Sequence, residues 1–129
     1  MKEETTDRKQ AALEATLMLI AEQGFHGTPM SQIAQKANIG VGTIYRYFSG
    51  KEELINELYI FIKKRMADTI LTNYQKDKPV LEGFKEVLKE IICYMAVHPT
   101  ELSFHEQYAN SPLITQATKE QGVQIMEPI

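Results

Sequence analysis

The sequence has a single cysteine, Cys93, and no tryptophan. One thiol cannot close an internal disulfide or anchor a structural zinc site, so ordinary packing must hold the fold. Cys93 lies in the apolar run Ile91-Ile-Cys-Tyr-Met95, where a buried thiol behaves as a small hydrophobe. No run approaches the roughly 20 apolar residues that span a bilayer, and Met1-Lys-Glu-Glu lacks a secretory profile. The chain is therefore expected in the cytoplasm, with no membrane partner. Catalytic chemistry is missing as well: no nucleophile stands beside a base, and no glycine-rich phosphate loop precedes a helix. His105-Glu106 has no second histidine at ligand spacing, so neither a metal nor a cofactor is expected. Strand patterns are also absent, and the fold class expected is all-α.

One stretch stands out as the longest without acid. The formal net charge is −3, yet Gln23 to Lys51 contains no Asp or Glu, while Lys36, Arg46, Lys51 and His26 lie inside it. Acids resume at once with Glu52 and Glu53. A surface that approaches phosphates must exclude carboxylates, which would repel the backbone and oppose counterion release.

That window reads as two short helices with a tight turn between them, the layout of a helix-turn-helix. Thr28 is placed to cap the first helix, with Pro29 at its first position. Ile33, Ala34 and Ala37 can bury one face, and Asn38-Ile39-Gly40 breaks the run. A second helix fits Val41 to Phe48, with Ile44 and Phe48 on the packing side. Gly42, Thr43, Tyr45 and Arg46 are then directed toward a partner.

Around the motif, a first helix is expected from Thr6 to Gly24, with Leu13, Leu17, Ile20 and Ala21 as its stripe and Gly24 in a left-handed C′ position. Ser49 and Glu52 fit a capping box that opens a long helix reaching about Tyr74. Leu54, Leu58, Ile62, Met66, Ile70 and Tyr74 recur at steps of four, a stripe that drifts around a 3.6-residue helix and so should meet two different neighbours. Pro79 to Val97 carries the densest apolar pattern, from Val80, Leu81 and Phe84 to Ile92 and Met95, the strongest core signal in the chain. Later helices are expected over Thr100–Tyr108 and from Leu113 to Met126, the last with Ser111 as cap and Pro112 at N1. Phe61, Met66, Ile70, Met95, His98, Phe104, His105 and Tyr108 are of the types that line a pocket for a small apolar effector, and equally of the types that fill a helical core.

Leu13-Glu-Ala-Thr-Leu-Met-Leu-Ile-Ala-Glu-Gln-Gly-Phe25, then Thr28 with Ile33-Ala34, then Gly42-Thr-Ile-Tyr-Arg-Tyr-Phe48 and Lys51-Glu-Glu-Leu54 together resemble the DNA-binding domain of the TetR family of transcriptional regulators. The resemblance implies a three-helix DNA-binding head over residues 1–50. A long helix would join it to a helical ligand-binding and dimerising body over 51–129. It implies a sequence-specific repressor, released by a small effector, acting as a homodimer on a palindromic double-stranded DNA operator. Carried over residue by residue, it puts Thr28 on a phosphate and Thr43, Tyr45 and Arg46 in the major groove, with Gly42 beside them. Tyr47 would reach a phosphate through its hydroxyl, and Lys51 would bind one at the start of the long helix. For Arg46, bidentate bonding to guanine and a phosphate contact are both open. Two departures stand out. Gly40-Val41 replaces a pair that is often polar or basic, and the body is short for the family, whose dimer interface is commonly built from its last two helices. The alternative reading is a protein-interaction module on a helix-turn-helix scaffold; the acid-free window favours DNA.

Overall fold

The computed structural model describes residues 2–73 and 79–127. They form α1 (Lys2–Gln23), α2 (Met30–Ala37), α3 (Val41–Tyr47), α4 (Lys51–Asn73), α5 (Val80–Val97), α6 (Pro99–Tyr108) and α7 (Gln116–Met126). There is no strand among the described residues, and none of these helices is long and apolar enough to cross a membrane.

Helix α1 begins at Lys2, earlier than the expected Thr6, because the charged run before Thr6 contains no breaker. It stops at Gly24, whose φ of +78° suits glycine and whose N–H reaches Ile20 O at 2.8 Å. Leu13, Leu17 and Ile20 are buried as the stripe requires, whereas Ala21 faces solvent.

Two apolar clusters divide the molecule. The larger joins α1 to Ile33 and Ala34 of α2, Ile44 of α3, Phe48, and Leu54, Leu58 and Ile62 of α4, with Phe104 and Ile114 closing it from below. The smaller collects Met66 and Ile70 of α4 with Tyr94, and has Val87, Ile91, Met95 and Met126 packed around it. The four-residue stripe of α4 thus winds from one cluster to the other, as its period predicts; Tyr74 lies outside the described residues. The larger cluster runs straight across residue 50, so packing marks no seam there.

Three local expectations fail, each for a visible reason. Helix α4 is framed one residue later than the Ser49–Glu52 box. Leu54 N–H bonds Gly50 O at 3.1 Å, and Glu53, not Glu52, accepts from Ser49 N–H at 2.6 Å. The Ser49 hydroxyl first, and then that N–H, hold the Glu53 carboxyl below its usual range. Helix α7 is capped by Thr115, not Ser111: Thr115 Oγ1 accepts from Thr118 N–H at 3.1 Å. The shift comes from Asn56 of α4, which donates to Leu113 O and accepts from Thr115 N–H, both at 2.9 Å, so the chain makes a turn at Pro112 and Leu113, closed by Ile114 N–H on Ser111 O at 3.1 Å, before α7 begins.

The third failure is α5. Its strong apolar pattern does not make it a core helix: Val80, Leu81, Phe84, Leu88 and Ile92 are exposed, Val80 at 90%. Cys93 on the same helix is exposed too, not buried. The helix is apolar on more than one side, and only the side carrying Val87, Ile91, Tyr94 and Met95 meets α4.

Candidate nucleic-acid interface

The recognition motif rests on a fully buried base. Ile33, Ala34, Ile44 and Phe48 are each essentially inaccessible, which fixes α3 against α2. The turn between them is closed by Asn38 in the left-handed region (φ 59°), which Asn tolerates better than most residues, and by Ile39 N–H on Ala34 O at 3.0 Å. With its inner side committed to Ile44, α3 turns Val41, Gly42, Tyr45 and Arg46 outward, and Tyr45 is 51% exposed. Thr43 and Tyr47 are half-buried at its edges, and the Tyr47 ring packs edge-on to Phe48, 6.4 Å between centroids. The Tyr47 hydroxyl bonds no described residue, so it is open to an outside acceptor or donor. A Cβ added to Gly42 would meet nothing within 4 Å; the protein itself gives no reason for a glycine there.

Two expected DNA contacts take on other work. Thr28 is 1% exposed, its hydroxyl donates to Gly24 O at 2.8 Å, and its N–H reaches Phe25 O at 3.3 Å. It neither caps α2, whose cap is Pro29, nor keeps a donor for a phosphate; the hydroxyl is consumed in folding the α1–α2 loop. Lys51 opens α4 as expected, but its ammonium donates to Phe25 O at 2.6 Å and lies 4.5 Å from the centre of the Phe25 ring. From the other side, Phe25 N–H donates to the Tyr108 hydroxyl at 3.1 Å. One peptide segment of the head is thus held by both α4 and α6. No local motif signals this clamp, because its partners are 26 and 83 residues apart in sequence.

Residues 12–58 match the model of the bacterial regulatory proteins of the tetR family. The chain belongs to the TetR family. An HTH-type transcriptional regulator of Haemophilus influenzae is 30% identical over 112 residues, covering 87% of this chain and 60% of that protein. The HTH-type transcriptional regulator YhgD of Bacillus subtilis is 31% identical over 114 residues, covering 88% of this chain and 59% of the other. A solved TetR-family structure from a Shewanella species has a TM-score of 0.87 at 29% identity, covering 93% of this chain and 64% of that one. The chain therefore spans about three fifths of the length of these relatives.

The residues expected to line an effector pocket do not converge on one cavity. Met66, Ile70 and Met95 belong to the smaller cluster, and Phe104 and Tyr108 to the larger. Phe61 lies under the Arg65 guanidinium, 4.3 Å from its ring centre. His105 is stacked on Tyr59. His98 sits at the α5–α6 corner, where its Nδ1 bonds Tyr94 O at 2.9 Å and its ring stacks on Tyr94, 4.1 Å between centroids. Glu101, 2% exposed, accepts there from the Tyr94 hydroxyl at 3.0 and 3.1 Å. Burial and that carboxylate together push the Tyr94 hydroxyl far above its usual range. His98 and Glu101 also edge an open cavity of about 410 Å³ with Glu14, Leu17 and Arg65. The winding of α4 that separates the two clusters is what scatters these side chains.

Proposed function

We propose that this protein reads a specific double-stranded DNA operator through α3, as one half of a homodimer on a palindromic site. A small effector bound in the body would release it, making it a cytoplasmic repressor with no enzymatic step. The observation that carries the reading is the outer face of α3. Tyr45 and Arg46 stand exposed on a buried base within an acid-free stretch. The acid placed closest to it in sequence behind Glu52, Glu53, is already engaged on Ser49 N–H.

In this arrangement Arg46 and Tyr45 read base edges, with Thr43 beside them, and Tyr47 bonds a phosphate through its open hydroxyl. Gly42 lets the α3 backbone approach the DNA closely. Lys51 serves through its backbone N–H, one of the unpaired donors of the first turn of α4, while its ammonium holds Phe25. Thr28 supports the loop from within.

Titration of fluorescent DNA fragments at two salt concentrations tests this. Arg46→Ala and Tyr45→Ala should each cost about 1–3 kcal/mol on the operator and much less on random sequence. Equal losses on both kinds of DNA would remove the base-reading role, and no salt dependence would favour a protein partner instead.

A further inference from the structure

Helices α4 and α7 enclose an open groove of about 490 Å³, lined by Tyr59, Lys63, Gly122, Val123, Met126 and Glu127. Its size is that of a small-molecule site, for which about 300–1,000 Å³ is usual. The helices approach closely because α7 has a glycine opposite Tyr59: a Cβ on Gly122 would lie 2.8 Å from the Tyr59 ring. The walls are apolar on the α7 side, from Val123 and Met126.

The groove holds one cation, Lys63, and one anion, Glu127 at its rim, and the two form no ion pair. Lys63 is half-buried, its ammonium 5.5 Å from the centre of the Tyr59 ring, and no described carboxylate forms an ion pair with it. His105 stacks on the same ring, 6.3 Å between centroids with the planes at 19°. Two basic side chains therefore flank one aromatic ring. Burial lowers the pKa of both, and the Lys63 charge lowers His105 further. The acids nearby are Glu106, exposed and only weakly opposing the shift of His105, and Glu127, exposed at the C-terminal end of α7. An ammonium withdrawn from water without a partner carries a free-energy cost that an incoming anion would relieve.

We propose that the α4–α7 groove binds an amphipathic organic anion, its carboxylate or phosphate head on Lys63 beside Tyr59 and His105, its apolar body along Val123 and Met126. The regulatory meaning of the site rests on the effector reading given above; the binding itself does not. Contact between the anion and α7 acts on the same helix that Asn56 ties to the start of α4, beside the head.

Calorimetric titration of the chain with decanoate, decyl phosphate, decylammonium and decanol tests the site. One or both anions should bind, which also identifies the head group, and the cation and the alcohol should bind at least tenfold more weakly. Lys63→Met, which preserves length and apolar volume, should weaken anion binding at least tenfold, and Lys63→Arg should restore it to within about threefold. If Lys63→Met does not fold, the His105 ring resonances of the unmodified chain decide: decanoate should raise the pH at which they titrate. Equal binding of all four probes, or binding indifferent to Lys63→Met, would overturn the proposal and assign the affinity to bare apolar surface such as that of α5. Loss of anion binding in protein that still binds its operator would sink this inference alone; intact anion binding without any operator binding would sink the DNA reading alone.

Discussion

Replacing Lys51 by Met separates two jobs that a lysine at this position can do. In the structure the ammonium bonds Phe25 O at 2.6 Å and stands over the Phe25 ring. A hydrogen bond from a charged donor contributes about 1.5–3 kcal/mol, and a partly exposed cation–π contact about 0.5–1 kcal/mol. Both come from one ammonium, so they do not simply add; a loss of about 2 kcal/mol is expected, since Met keeps the stem packing and removes the charge. At about 4 °C per kcal/mol for a chain of this size, the melting temperature should fall by about 8 °C. Thermal unfolding followed by circular dichroism measures this directly. The same protein, titrated with operator over a range of salt, should keep its slope of log K against log salt, because the backbone N–H of residue 51 remains to meet the phosphate. Had the ammonium been the phosphate ligand, the slope would drop by roughly 0.9. An unchanged melting temperature together with that drop would refute the clamp.

Three further outcomes follow from the same geometry. Gly42→Ala should stabilise the protein by about 0.5–1 kcal/mol, since alanine suits a helix better and meets no obstacle in the chain. Its operator affinity should nevertheless fall at least tenfold, and unimpaired binding would show that DNA does not approach there. Tyr108→Phe should cost about 1–2 kcal/mol by leaving the Phe25 N–H unpaired; hydrogen exchange should show faster opening at Phe25, with α3 little changed. The His105 imidazole is held below its ordinary 6.5 by burial and by Lys63, so the unfolded chain binds the proton more readily. Stability should therefore be fully present above about pH 6.5 and decline as pH falls through the folded pKa, a decline that His105→Gln should flatten in urea titrations at several pH values.

Local signals carried the motif well and long-range ones poorly. The burial of Ile33, Ala34, Ile44 and Phe48 and the exposure of Tyr45 and Arg46 follow from periodicity alone, because a short amphipathic helix has only one side to hide. The winding of α4 was equally legible, being a property of its own spacing. The bonds that Thr28 and Lys51 make within the chain are not legible in the sequence, because their partners, Gly24 O and Phe25 O, are backbone atoms brought close only by the loop. Lys63 gives no signal, since a lone lysine on a long helix reads as surface until the fold places it near the Tyr59 ring on which His105 stacks. For α5, apolar periodicity reports what a helix is able to bury, not what is there to cover it.

The cluster that runs across residue 50 limits how such a head can be exchanged between proteins. Phe48 and Ile44 share one buried cluster with Leu54, Ile55 and Leu58, and also with Phe104 and Ile114. A chimera joined at residue 50 would mate two half-interfaces shaped for different neighbours, and would inherit a misfit beneath the reading helix. The outward residues of α3 carry no such obligation. New specificity can accumulate there one side chain at a time, while transplantation of the head whole would require the middle of α4 and the end of α6 to travel with it.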